Sequence, residues 1–316
     1  MASPVIVVGS YVQDLTFTLP QFPKPGQTLI GQFHTGAGGK GSNQAVAAAR
    51  TGVKVAFIGA TGDDAFAQVA SEFHEKEGID SHLAVKPDLA TGTAGILVND
   101  QGENEIVVAL GANNALRPED IDAAWPRKAM VLVTQLECNL DATGHALELA
   151  RSEGIRTILN PAPMRDDFPM SLLNLVDILV PNETEFAHLV RSRFPEKYGK
   201  FNESSIESME AEDLHRLCRD FEVPTLIVTL GGKGSFCSTG DTFFHTKPLS
   251  NITVVDTTGA GDAFVGGLAS GLVQFDGNLV EGIQFASRVA GLSVTKIGTA
   301  QAMPTAKEIE NTIKDR

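Results

Sequence analysis

The chain has 316 residues, with 25 lysines and arginines against 39 aspartates and glutamates, a formal net charge of −14. Hydrophobic residues make up 42% and charged residues 20%, a globular composition that excludes a disordered or collagen-like polymer. So acidic a chain repels nucleic-acid phosphates and anionic membranes, and any phosphorylated ligand must be held by local geometry.

A first strand is expected at Val5–Val8. It begins too early to leave room for the basic and apolar regions of a signal peptide. No apolar run approaches the roughly 18 residues of a membrane span. Cys138, Cys218 and Cys237 are odd in number and lack metal-type spacing, so they read as buried or idle thiols. A cytoplasmic protein with neither membrane nor nucleic-acid partners is the expectation.

Residues 15–35 then alternate apolar and polar side chains around Pro20, Pro23, Pro25 and Gly26, as do residues 91–111 around the turn Asn99-Asp100-Gln101-Gly102. Both predict exposed antiparallel strands in a small separate sheet, a flap over a cleft or a dimer surface. Continuous apolar runs at 54–58, 131–134, 157–159, 178–180 and 226–229 predict strands buried on both faces. Helical patterns at 43–50, 65–76, 142–151 and 183–190 lie between them, which argues for βαβ units and a parallel sheet covered on both sides. Residues 192–212 are polar without clear periodicity and read as a surface insertion.

Three glycine-rich segments carry the chemical signal. In Gly36-Ala37-Gly38-Gly39-Lys40-Gly41-Ser42-Asn43 the glycines let backbone N–H groups approach a ligand at a helix start. The G-x-G-x-x-G match there is weak, since it follows a wet hairpin, and Lys40 is followed by glycine, which excludes a Walker A loop. Thr229-Leu230-Gly231-Gly232-Lys233-Gly234 follows a buried strand, where ligands bind in open α/β folds, although a hairpin turn would explain it too. Asp256-Thr257-Thr258-Gly259-Ala260-Gly261-Asp262 opens a Gly/Ala-rich helix. Unpaired amides of Gly259, Ala260 and Gly261 would form an anion site, and an acid beside it makes sense as a general base for an attacking hydroxyl.

These segments resemble the two signatures of the ribokinase-like (PfkB) carbohydrate kinases. The likeness runs from Val5 to about Pro304, and within the family it is greatest to the ribokinase branch. It also draws on Thr61-Gly62-Asp63-Asp64, Gly111-Ala112-Asn113, Gln135-Leu136-Glu137, Asn160-Pro161-Ala162-Pro163 and Pro181-Asn182-Glu183-Thr184-Glu185.

The resemblance implies one α/β kinase domain over 1–316, a three-layer α/β/α sandwich with a mostly parallel sheet and a small β-sheet lid. It implies ATP-dependent phosphorylation of a pentose 5-hydroxyl, ribose first, with 2-deoxyribose, or another sugar or a nucleoside of the family, as the alternative. Asp262 is then the base, with Gly259, Ala260 and Gly261 as its anion hole. Asp14, Gly39, Lys40, Asn43 and Glu137 match sugar-contacting positions, and Val12, Gln13, Gly41 and Ser42, in the same two segments, are expected to line the sugar site with them, as is Asp262. Asn182 and Glu185 match a Mg²⁺ and phosphate segment, while Thr229, Leu230, Gly231, Gly232, Lys233, Gly234, Gly261 and Ser287 flank the nucleotide. Asp256, Thr258, Ser293, Lys296, Gly298 and Ala302 fall where a K⁺ ion is held, and a homodimer through the lid is implied. Two positions depart from the family pattern: Val12, where asparagine is common, and Ala302, where serine is. A binding protein that lost turnover and a dinucleotide oxidoreductase are the competing classes. Neither accounts for Asp262 together with its glycines.

Overall fold

Side chains alternate between the faces of a strand, so a strand that is apolar throughout must be covered on both sides. The computed structural model describes residues 3–314. In chain order the elements are β1 (Val5–Val8), β2 (Val12–Leu19), β3 (Gln32–Gly38), α1 (Lys40–Arg50), β4 (Val55–Thr61), α2 (Ala65–Lys76), β5 (Asp80–Val85), β6 (Thr93–Asn99), β7 (Asn104–Ala109), α3 (Pro118–Ala124), β8 (Val131–Thr134) and α4 (Leu140–Ser152). They continue with β9 (Arg156–Leu159), β10 (Ile178–Leu179), α5 (Glu183–Arg193), α6 (Pro195–Tyr198), α7 (Glu203–Glu207), α8 (Ala211–Arg219), β11 (Thr225–Thr229), β12 (Ser235–Thr239), β13 (Thr242–Thr246), α9 (Ala260–Gln274), α10 (Leu279–Ser293) and α11 (Ala306–Lys314).

Nine strands form the main sheet in the order β13-β12-β11-β10-β9-β8-β1-β4-β5. It is parallel from β11 to β5; β12 alone runs against the rest, so the β11–β12 and β12–β13 pairings are antiparallel. Strand alternation divides the interior into two cores. Ile6, Val8, Leu132, Leu159 and Leu226 face one side with α3, α4, α5 and α8, whereas Val5, Val7, Val133, Ile158 and Ile227 face the other with α1, α9 and α10. This is the three-layer arrangement expected.

The second sheet has the order β3-β2-β6-β7. Each hairpin is antiparallel as expected, but the hairpins join through a parallel β2–β6 pairing, set by Gln13↔Thr93 to Leu19↔Asn99. Side-chain alternation carries no information on which way a partner strand runs.

The sequence reading missed β5 and β13, the two edge strands of the main sheet, which mix polar with apolar positions; β12 is the strand that the hairpin reading of the second glycine segment leads into. The segment 192–212 also needs correction, because it is not merely a surface insertion. Phe201 and Ile206 are buried, and the Tyr198 ring centroid lies 5.6 Å from that of Phe201. Its helices α6 and α7 have four and five residues, too short to show a helical period.

Candidate active site

Parallel strands deliver their carboxyl ends to one edge, where loops can converge on a ligand. Ser10 follows β1 there, Gln135 and Glu137 follow β8, Asn160 follows β9, Asn182 follows β10, and Thr229 ends β11. The N-termini of α1 and α9 face the same edge, as does that of α5 just after β10. Helices α1 and α9 pack closely because α9 is rich in small residues. A Cβ on Gly266 would lie 2.4 Å from the Gln44 carbonyl oxygen, so no larger residue fits.

That contact sets Asp262 against α1. Asp262 is 6% exposed; Asn43 Nδ2 donates to its Oδ2 at 3.0 Å and Gln44 Nε2 to its Oδ1 at 2.9 Å. Burial raises the Asp262 pKa above the ordinary carboxylate value, while the Lys40 ammonium and the two amide donors oppose that rise. Gly259 caps α9 at φ +78°, a left-handed conformation natural to glycine. One expectation for the anion hole fails here: the Ala260 N–H is already bonded to the Thr257 carbonyl at 3.2 Å. The Gly259 and Gly261 amides have no partner among the described residues, so the helix start offers two of the three expected donors.

On one side of Asp262 lies a cluster of charges. Glu137 Oε2 accepts from Ser10 Oγ at 2.6 Å and from the Lys40 N–H at 2.9 Å. The Asp14 carboxylate sits against Gly38, where a Cβ would come within 2.5 Å of both its oxygens. Its pKa is raised to about 6, chiefly by burial and then by repulsion from Glu137. Lys40 is held charged by Asp262, Glu137 and Glu185, which outweigh its desolvation. Asn43 Oδ1 is buried without a partner.

Three expected sugar contacts do not fit. Gln13 is spent within the lid, donating to Thr35 Oγ1 at 2.6 Å and to the Gly36 carbonyl at 3.0 Å while accepting from the Tyr11 hydroxyl. Ser42 Oγ pairs with His74 Nε2 at 2.9 Å, in the core. Gly41 is packed against Gly9 and the Ser10 N–H, so its role is close approach. Gly39 caps α1, and Val12 is 2% exposed where β2 begins.

On the other side lies a cavity of about 480 Å³ with a mostly apolar wall that includes Leu249, Ile252, Val254, Phe264 and Val294. A smaller cleft of about 150 Å³ contains Lys40, Glu185 and Asp262. Asn182, Thr229, Thr257, Ala260 and Gly261 line both, so the two spaces adjoin at the start of α9. Gly231, Gly232, Gly234 and Ser287 line the larger cavity as expected. Leu230 and Lys233 are not among its lining residues, and the Lys233 ammonium bonds Glu207 at 2.7 Å instead. The turn between β11 and β12 is thus a hairpin and a cavity wall at once.

The N-x-x-E segment proves to be a reciprocal cap on α5: Asn182 Oδ1 accepts from the Glu185 N–H and Glu185 Oε2 from the Asn182 N–H. The same glutamate lines the cleft, and burial raises its pKa to about 7. The carboxylate is half-buried, and both its oxygens already accept from Asn182, Oε2 from the backbone N–H at 2.9 Å and Oε1 from Nδ2 at 3.1 Å. A carboxylate oxygen is the donor type that Mg²⁺ takes.

Asp256 ties together the loops proposed for a monovalent cation, accepting from the Thr258 N–H and the Gly298 N–H, each at 2.9 Å. Ser293 Oγ donates to the Ala290 carbonyl at 2.8 Å, and the Lys296 ammonium, which has no lone pair to give a cation, bonds Glu308. Ala302 is buried. The Asp256 carboxylate is an oxygen donor of the kind that hard cations take, and each of its oxygens already accepts one backbone N–H.

Several residues escaped the sequence reading. Ser10 orients Glu137, Gln44 clamps Asp262, and residues 248–254 build the apolar wall. Gln44 sits inside the first signature and was open to notice there. The wall residues lie outside any regular element and carry no local signal.

A family model described as pfkB family carbohydrate kinase matches residues 2–306. The chain belongs to this family. The kinase is 36% identical to the ribokinase of Haemophilus influenzae over 312 residues, covering 98% of this chain and 97% of the relative. It is 37% identical to the deoxyribokinase of Salmonella typhi over 308 residues, covering 96% of each. Its fold matches the Arabidopsis thaliana ribokinase structure complexed with ribose and ATP at a TM-score of 0.84, with 28% identity and 99% of each chain covered. The three thiols of the kinase are free and buried, and burial pushes each of them up. Among the described residues, no helix is long and apolar enough to cross a membrane.

Proposed function

We propose that this carbohydrate kinase transfers the γ-phosphoryl group of ATP to the 5-hydroxyl of D-ribose, as one catalytic domain with its own lid. The observation that carries this reading is Asp262, held by two amides between a charged polar cradle and an apolar cavity. Asp14, Asn43 and Glu137 bind the sugar hydroxyls, since each offers an acceptor that the protein leaves open. Asp262 takes the proton of the attacking hydroxyl as its oxygen bonds to phosphorus and the bond to the ADP oxygen breaks. The Gly259 and Gly261 amides and Lys40 balance the charge on the moving phosphoryl group. Bound Mg²⁺, at Glu185 and Asn182, supplies further neutralisation of the phosphates, and the cation loops around Asp256 take K⁺. The β2–β3 and β6–β7 hairpins act as a lid that excludes water as a competing acceptor.

Val12 favours a second reading. Its apolar side chain cannot hydrogen-bond a 2-hydroxyl, so 2-deoxyribose is the alternative sugar, and a relative of equal similarity is a deoxyribokinase. A coupled ADP-release assay with ribose, 2-deoxyribose, fructose and nucleosides decides among them. Turnover on ribose with the highest kcat/KM is the expected result; none on any sugar ends the kinase reading.

The lid exposes Ile106 and Val108 on the face that carries Asp14 and, on its opposite face, Phe17, Phe33 and Val107. We infer that two copies pair through this apolar lid in the cytoplasm, because exposed side chains of this kind mark an interface. Sedimentation showing a monomer at micromolar concentration refutes the pairing.

A further inference from the structure

Asp262 is served by an amide chain whose direction one backbone carbonyl decides. Asn160 Nδ2 donates to the Val180 carbonyl at 2.9 Å, and a carbonyl can only accept. Asn160 must therefore turn its Oδ1 the other way, where it accepts from Gln44 Nε2 at 3.1 Å. The second proton of that same amide goes to Asp262 Oδ1 at 2.9 Å. Gln44 Oε1 is then left facing Gln135, whose Nε2 donates to it at 2.7 Å. All three amide side chains are buried, Gln44 completely. Flipping Gln44 would set its oxygen against two other oxygens and its protons against those of Gln135.

We infer that Gln44, locked by Asn160 and Gln135, is a positioning residue that keeps an N–H on the catalytic carboxylate and so holds it ionised and oriented for the hydroxyl. This rests on the assignment of Asp262 as the base. Asn43 grips the other oxygen, so each carboxylate oxygen keeps one lone pair for the substrate. The charged groups facing Asp262 are Lys40 from α1, Glu137 beyond β8 and Glu185 from α5; only Lys40 favours its ionised form. The amides thus supply much of what offsets burial.

The test compares Gln44→Met and Gln135→Met with the parent enzyme, at saturating ATP and Mg²⁺, across pH 5 to 9. In Gln44→Met, kcat falls about tenfold to a hundredfold, the range for a hydrogen bond to a charged group, and the acid limb of the kcat profile moves to higher pH. The sugar KM stays within threefold. Gln135→Met moves the limb the same way but less, and it serves alone should Gln44→Met not fold by circular dichroism. An unmoved acid limb in a folded variant overturns the inference, even if kcat drops, since loosened packing alone would not shift it. Unimpaired turnover in Asp262→Asn would instead remove the base, and this inference with it, whereas loss in Asp262→Asn with an unmoved limb refutes the amide chain only.

Discussion

The two sides of the cleft are built from different materials. The proposed sugar side gathers Asp14, Lys40, Glu137 and Asp262, four ionisable side chains in or next to buried positions. The proposed nucleotide side is an apolar wall with glycine backbone and the Ser287 hydroxyl. Charges in a poorly solvated place interact strongly and are sensitive to single changes. An apolar wall spreads its contribution over many weak contacts, each of which is dispensable. Mutations should therefore act steeply on the sugar side and shallowly on the nucleotide side.

The largest effect is expected where the two sides meet. Asp262→Asn should lower kcat by roughly 10²–10⁴, the usual worth of a general base, with the sugar KM nearly unchanged. Steady-state kinetics showing turnover within tenfold of the parent would break the comparison at its centre.

The next effect belongs wholly to the sugar side. Asp14→Asn, and Gly38→Ala through its methyl group against both Asp14 oxygens, should raise the pentose KM at least about tenfold while leaving the ATP KM alone. The same residue predicts a pH dependence. Asp14 is raised to about 6, so at pH 7 it is ionised and accepts sugar hydroxyls, and below pH 6 it gains a proton. The pentose KM should then climb by up to about tenfold per unit, measured at saturating ATP and Mg²⁺. Stability moves oppositely: a raised carboxylate is destabilising when ionised, so its contribution improves as pH falls through 6. A KM that is flat between pH 7 and 5 would show that Asp14 does not hold the sugar as a carboxylate.

Replacing K⁺ by Na⁺ should reduce kcat, because the Asp256 loops lead directly into the Gly259–Gly261 turn. Indifference to the ion in the ADP-release assay would leave those loops held by Asp256 alone. The smallest effect is expected from Ser287→Ala, under about threefold in the ATP KM, as one hydroxyl on an otherwise apolar wall. A much larger loss there would mean that the nucleotide side also depends on a single polar contact.

What the sequence alone determined was whatever depends on neighbours in the chain. Apolar strands buried on both faces, the Asn99–Gly102 turn, and glycines before a helix-opening acid are each a pattern within ten residues, and each leads to one local structure. The segments of the cleft were legible for the same reason. Only the tertiary structure decided which side chains in those segments reach the cleft. Gln13 and Ser42 were as eligible as Asp14 and Asn43 until the alternation of β2 turned Gln13 into the lid and the helical phase of α1 turned Ser42 into the core and Asn43 toward Asp262. The parallel joint of the lid, the wall at 248–254 and the amide chain from Val180 to Asp262 likewise join residues scores of positions apart. Such contacts depend on how whole layers pack, and packing leaves no trace in local spacing.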